Sequence, residues 1–189
     1  MKVAKSSPIQ FETKLYTIKD WTILRLPHEA SAKLPTRGML MVTGALNDVP
    51  FTTLLEPDGV YATGKPSHWF RPDDTLLKEA RATSGDTVTV SLEPTKEWIE
   101  PEVPTDVKNA LETSPKATTL WKDITPQARW DWIRWVRAVK TEETRQKHLE
   151  VMLDKLNKGM KRPCCFNRNL CSETYVVAPG TWHLSDATN

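Results

Sequence analysis

Glycine is scarce in this chain, seven residues out of 189, and cysteine scarcer still at three. So little glycine against fourteen prolines argues for stiff connections between short elements. Three cysteines exclude a secreted disulfide scaffold. Cys164 and Cys165 are neighbours, a spacing that strains a bridge, so free thiols in a reducing cytoplasm are expected. They do not read as zinc ligands either. The pattern C-C-x5-C, with only His148 and His183 near it in sequence, is not a C-x2-C pair. No run approaches the ~18–20 apolar residues that span a bilayer, so no membrane insertion is expected. Met1 to Pro8 hold no apolar stretch, so no secretory signal is expected. A Gly-rich phosphate loop, H-E-x-x-H, G-x-S-x-G and the DNA-binding zinc pattern are all missing, and neither a metal nor a cofactor is implied.

What is present suffices for a packed core. Apolar residues make up 39% and charged residues 26%, which fits one compact unit with an appendage. Net charge is only +2, but it is unevenly spread. Residues 1–124 carry 15 Lys/Arg against 17 Asp/Glu, whereas residues 125–170 carry 11 against 5. Such a local excess can draw an anion or nucleic acid, although no basic run exceeds two residues and solvated helices explain it as well.

The first hundred residues read as β-structure. Phe11, Leu15 and Ile18 stand among polar neighbours, and Trp21 to Leu26 alternates before Pro27 ends the run. Met39 to Gly44 and Phe51 to Leu55 flank the turn residues Asn47-Asp48-Val49-Pro50. Short runs at 60–62 and 68–70 follow, and Thr87 to Leu92 has the cleanest period of two. Asp73 or Asp74 is placed to cap a short helix through Ala82. Six or so short strands with one small helix point to a closed barrel.

Between Glu93 and Pro104 the chain turns rich in proline and glutamate, with residues 97–104 read as an extended linker along the barrel. Thr105, Ser114, Thr125 and Thr141 then offer helix caps, two of them followed by proline. Helices are predicted at 106–112, 115–121, 126–139 and 142–158, with Gly159 closing the last. Leu149, Met152, Leu153 and Leu156 form its buried stripe. The boundaries are thus a barrel at 9–96, the linker, a helical module at 105–160 and an irregular, fraying tail at 161–189 that contains the cysteines.

Three of the eight tryptophans fall within residues 130–135. At 100° per residue, Trp132, Ile133, Val136 and Val139 share a core face with Trp135 at its edge, while Trp130, Arg134 and Arg137 define a second face beside Lys140. An indole next to guanidinium groups can stack on a planar ligand and clamp an anion. An Arg stem packed over an exposed indole, with Asp131, Glu142 and Glu143 as counter-charges, is the plainer reading. His68 is a candidate acid or base, with Asp73 or Asp74 near in sequence, and Cys164 a candidate thiolate beside Lys161 and Arg162. No identified partner completes either one, so no catalytic residue is assigned.

The segments Trp121-x-Asp123-Ile124-Thr125-Pro126-x-Ala128-Arg129-x-Asp131-Trp132-Ile133-x-Trp135, Ala138-x-Lys140, Glu143-Thr144-Arg145, Met152-Leu153 and Gly159-x-Lys161-Arg162-Pro163-Cys164-Cys165-Phe166 resemble the YdeI/OmpD-associated, bacteriocin-protection-like family. Trp21, Leu26-Pro27, Gly44-x-Leu46-Asn47, Phe51, Pro57-x-Gly59, Ser67-His68-Trp69-Phe70 and Gly85-Asp86-x-Val88-x-Val90 resemble the uncharacterised barrel domain often fused to it. The likeness covers about residues 10–167. Where relatives commonly carry a basic pair after Glu-Thr-Arg, this chain has Gln146-Lys147-His148. The resemblance implies an α+β fold, a small double-split-like barrel followed by a helical module. Related barrels of the AbrB/MazE type include dimeric DNA-binding proteins, so a homodimer stays open.

Together these readings lead to a cytoplasmic, non-enzymatic bacterial protein of the stress-protection kind, binding a small anionic or planar ligand or a protein partner. Nucleic-acid binding by the basic module is the runner-up. The ligand is expected in a cleft lined by Trp69, Trp98, Trp130, Arg134, Arg137, Lys140 and Arg145.

Overall fold

The structure, a computed structural model, describes residues 7–59, 65–164 and 166–177. The run expected at 60–62 lies outside them. Six strands form a closed, wholly antiparallel barrel in the order β1-β2-β5-β4-β3-β6. They are β1 (Ile9–Ile18), β2 (Trp21–Arg25), β3 (Leu40–Leu46), β4 (Val49–Pro57), β5 (His68–Phe70) and β6 (Thr87–Thr95). Among the described strands, closure leaves no open sheet edge, which short strands otherwise expose to aggregation.

Alternation sets the inner face. Val88, Val90 and Leu92 point inward with Leu15, Leu24, Val42 and Leu55, while Thr87 and Thr89 face out. Asn47 and Asp48 connect β3 to β4 with φ of 46° and 67°, the left-handed pair of a two-residue hairpin turn. The Asn47 side chain fixes that turn, donating to the Ala80 carbonyl and accepting from Thr89 N–H. Asp73 caps α2 (Asp74–Glu79) through Leu76 N–H at 2.8 Å. A single turn, α1 (His28–Ser31), follows Pro27 and has no counterpart in the sequence expectations. It carries a functional candidate, described below.

Strand β6 runs on to Thr95, where it still pairs with Met41 of β3, so the proline-rich connector begins later than Glu93. The helices match the expected ones closely. These are α3 (Thr105–Glu112), α4 (Pro115–Asp123), α5 (Pro126–Arg137) and α6 (Glu142–Asn157). Ser114, Thr125 and Thr141 each cap as expected, accepting from the N–H three residues on. Thr105 does not. It is the first helical residue of α3, and Pro104 before it has no side-chain acceptor to offer. The helical core joins Val107, Leu111, Trp121, Trp132, Val136, Leu149, Met152 and Leu156. Leu153 only borders it, so the α6 stripe is narrower than its periodicity suggests.

By contacts, the chain resolves into two compact units. One is residues 1–97 with 169–171 and 175–189, the other 98–168 with 172–174. The segment after Met160 does not fray within its described part. Ser172 and Glu173 are buried, and a short α7 (Thr174–Val177) seats Val176 against Ile18, Ile23 and Trp69. Among the described residues, no helix is long and apolar enough to cross a membrane, and no cluster of His, Cys, Asp and Glu could hold a metal ion.

Candidate functional site

Strand β5 is only three residues long and wholly buried, so its side chains are fixed by the strands on either side. The first of them is His68, only 1% exposed. Its Nε2 lies 3.0 Å from the Gly38 carbonyl. A carbonyl can only accept, so Nε2 carries the proton and Nδ1 keeps a lone pair. Ser31, at the end of α1, donates its hydroxyl to that Nδ1 at 2.8 Å. Burial holds the imidazole below its usual pKa, more strongly than the Gly38 carbonyl and Asp58 raise it, and Arg37 adds to the depression. Burial thus favours the neutral ring, with Nδ1 as the acceptor of the Ser31 hydroxyl.

A small cavity of about 40 Å³ opens beside this pair. Ser31, Arg37, Ser67, His68 and Asn169 line it, with Pro57, Gly59 and Pro66 completing the wall. At roughly 10–15 Å³ of such volume per water, it accepts about three water-sized atoms. Arg37 is exposed, and it is the only formally charged group among the described lining residues. The wall is stiff. Buried Asp58 accepts from Arg25 Nε at 2.6 Å and from Ser67 N–H at 2.7 Å, and the Ser67 hydroxyl donates to Leu26 O at 2.7 Å. His28 Nδ1 lies 2.9 Å from Pro66 O. The acid that faces His68 is therefore Asp58 rather than Asp73 or Asp74, because Asp73 is occupied as the α2 cap.

Residues expected to bind a ligand fall in two places. Trp69 is a core residue of the barrel unit, 3% exposed in the cluster with Ile18, Ile23 and Val176. The others belong to the helical unit. Trp130 is half-buried and donates from Nε1 to Ile99 O at 3.0 Å, and Trp98 is also half-buried. Arg134 is fully buried, its guanidinium over the Phe166 ring at 5.2 Å. Arg137 meets Glu173 at 3.5 Å and Ser172 at 3.0 Å. Arg145 grips Asp106 with two hydrogen bonds, and Lys140 is exposed. Arg134 thus lies in the interior rather than on an outward basic face.

Asp131 is a buried counter-charge in this unit, 2.5 Å from Arg168 and 3.3 Å from Arg162. Burial pushes its carboxyl pKa up, against the pull of Arg168, Arg162 and Arg134. Glu142 and Glu143 instead engage Gln146 and Lys147 along α6. Cys164 is exposed and Cys171 half-buried. Arg129, which spacing alone did not single out, closes the end of α4 by donating to the carbonyls of Trp121, Lys122 and Ile124. A guanidinium at a helix C-terminus is favoured by the dipole as well as by its hydrogen bonds.

Residues 100–159 match the model of the bacteriocin-protection, YdeI or OmpD-associated family, and residues 10–92 match a domain of unknown function, DUF1905. Over its helical part the chain is similar to the YdeI/OmpD-associated family. No curated protein matches it significantly. The family module spans α3 to α6, while the Ser31–His68 pair and its cavity lie in the other domain. Both Ser31 and His68 fall in the segment that the second model matches, 37 residues apart. That separation is why spacing named His68 without its partner.

Proposed function

We propose that this chain is a cytoplasmic binding protein whose ligand is a small anion held in the barrel cavity. The observation that carries the reading is the charge of Arg37, the only formal charge among the described residues that line this polar cavity. An anion entering there meets a guanidinium, and the serine and imidazole beside it need no desolvated counter-charge. About three water-sized atoms of room selects a formate- or acetate-sized carboxylate or an inorganic oxyanion. The basic helical module supports the runner-up, nucleic acid, less well. Arg129, Arg137, Arg145 and Arg168 each pair with a carboxylate of their own unit.

Amide chemical shifts during a sodium acetate titration test this reading, with sodium chloride as the control. Saturable shifts at Ser31, Gly38, Ser67 and His68, abolished by the surface substitution Arg37→Ala, are the expected outcome. Shifts that never saturate, or that survive Arg37→Ala unchanged, overturn it.

A further inference from the structure

Ser31 is buried, and its hydroxyl donates to an imidazole nitrogen whose lone pair is available because the opposite nitrogen is committed to Gly38 O. A hydroxyl is a weak nucleophile unless an adjacent base accepts its proton as it attacks, and this geometry supplies that base. The third member of such a set normally orients the ring. Here a backbone carbonyl, Gly38 O at 3.0 Å from Nε2, orients it. Asp58 favours a positive ring electrostatically, which offsets part of the larger opposing effect of burial on a transient imidazolium. Both reacting groups line the same cavity as Arg37.

We infer that Ser31 is a nucleophile that takes a small acyl group from an activated ester or thioester, with His68 as its base. This rests on reading the cavity as the ligand site, and it adds a covalent step. In that step the Ser31 Oγ bonds to the carbonyl carbon while its proton passes to His68 Nδ1. The carbonyl oxygen gathers negative charge on the cavity side that Arg37 also lines. Collapse breaks the bond to the leaving oxygen or sulfur, which departs with the proton from Nδ1. The products are an acyl ester on Ser31 and a free alcohol or thiol, and no oxidant or reductant is consumed. Room for about three water-sized atoms limits the acyl group to formyl or acetyl size.

Incubation of the full chain with p-nitrophenyl acetate tests the inference, read by nitrophenolate release and by peptide mass mapping. The expected result is one acetyl group on the peptide that contains Ser31, formed faster in mild alkali than in acid, where a protonated His68 cannot accept the hydroxyl proton. Ser31→Ala should slow release roughly a hundredfold while keeping the wild-type near-ultraviolet circular dichroism, and Ser31→Cys should restore the adduct as a thioester. Acetylation confined to lysines, or an equal rate in Ser31→Ala, overturns the nucleophile. Should acetate still bind saturably in that case, the pair is a structural hydrogen bond and the binding reading stands. Loss of both results removes both.

Discussion

Arg145 of α6 holds Asp106 at the start of α3 with two hydrogen bonds, Nε to Oδ2 at 2.5 Å and Nη2 to Oδ1 at 3.1 Å. The fork ties together two helices that are far apart in sequence, and it places a carboxylate in the first turn of α3, where the dipole favours it. The hydrogen bond from Arg145 lowers the Asp106 pKa against the opposing effect of burial. A carboxyl depressed in the folded chain adds stability above its unfolded value of 3.8 and loses it as pH falls through the folded value. Arg145→Gln should therefore cost about 1–2 kcal/mol near neutral pH. Urea unfolding from neutral to strongly acidic pH checks both parts. The cost should vanish once the wild-type carboxyl is protonated, and an undiminished difference in strong acid contradicts this account.

His68 has the opposite consequence for acid. Its pKa is depressed by burial, so the unfolded chain takes up a proton first as pH falls through about 6.5. Stability then declines until the folded ring also protonates. The groups facing the ring are Ser31, the Gly38 carbonyl, Asp58 and Arg37. His68→Gln keeps a side-chain amide but cannot titrate. Its unfolding free energy should stay flatter than that of the wild type between about pH 7.5 and pH 5.5, whatever its absolute value. Parallel pH profiles for the two proteins would assign the acid sensitivity to another group.

The helical module was largely legible because its signals are local. Ser114, Thr125 and Thr141 cap within three residues of themselves, and the two prolines stand at the first helical positions that they favour. The barrel was legible from alternation, as in Val88, Val90 and Leu92. The site was not. Ser31 lies on a four-residue helix that no periodicity announces, and tertiary folding alone brings it to His68. Arg134 and Arg137 read as a free basic face because a helical wheel cannot show where Glu173 or Phe166 will return in space.

The α6 stripe gives a graded test of packing. Met152 is fully buried and Leu156 is 1% exposed, whereas Leu153 only borders the core. Truncation costs the lost transfer energy plus a cavity term that depends on how completely the site is enclosed. Met152→Ala should cost about 2–4 kcal/mol, and Leu153→Ala roughly half as much. Equal losses in chemical denaturation would mean that Leu153 is as enclosed as the repeat i, i+3, i+4, i+7 implies.

Two glycines separate steric from conformational demand. At Gly44 in β3, an added Cβ would sit 2.1 Å from the Ser91 carbonyl oxygen and 3.0 Å from Leu92 Cδ2. The nearer contact is backbone of the paired strand β6, facing Gly44 in register with Leu92, so it cannot swing aside as a side chain would. Relief requires the β3–β6 ladder to part where the barrel closes. Gly159 after α6 is the reverse case. Nothing lies within 4 Å of an added Cβ, but its φ of 84° is one that L side chains rarely adopt. Gly44→Ala should therefore cost about 3 kcal/mol or more. Gly159→Ala should cost about 1 kcal/mol and leave the barrel untouched. Amide hydrogen exchange distinguishes the two. The first substitution should deprotect Gly44, Leu46 and their β6 partners, and the second should affect only the end of α6. Normal barrel protection in Gly44→Ala would mean that β3 and β6 do not approach as closely as this register requires.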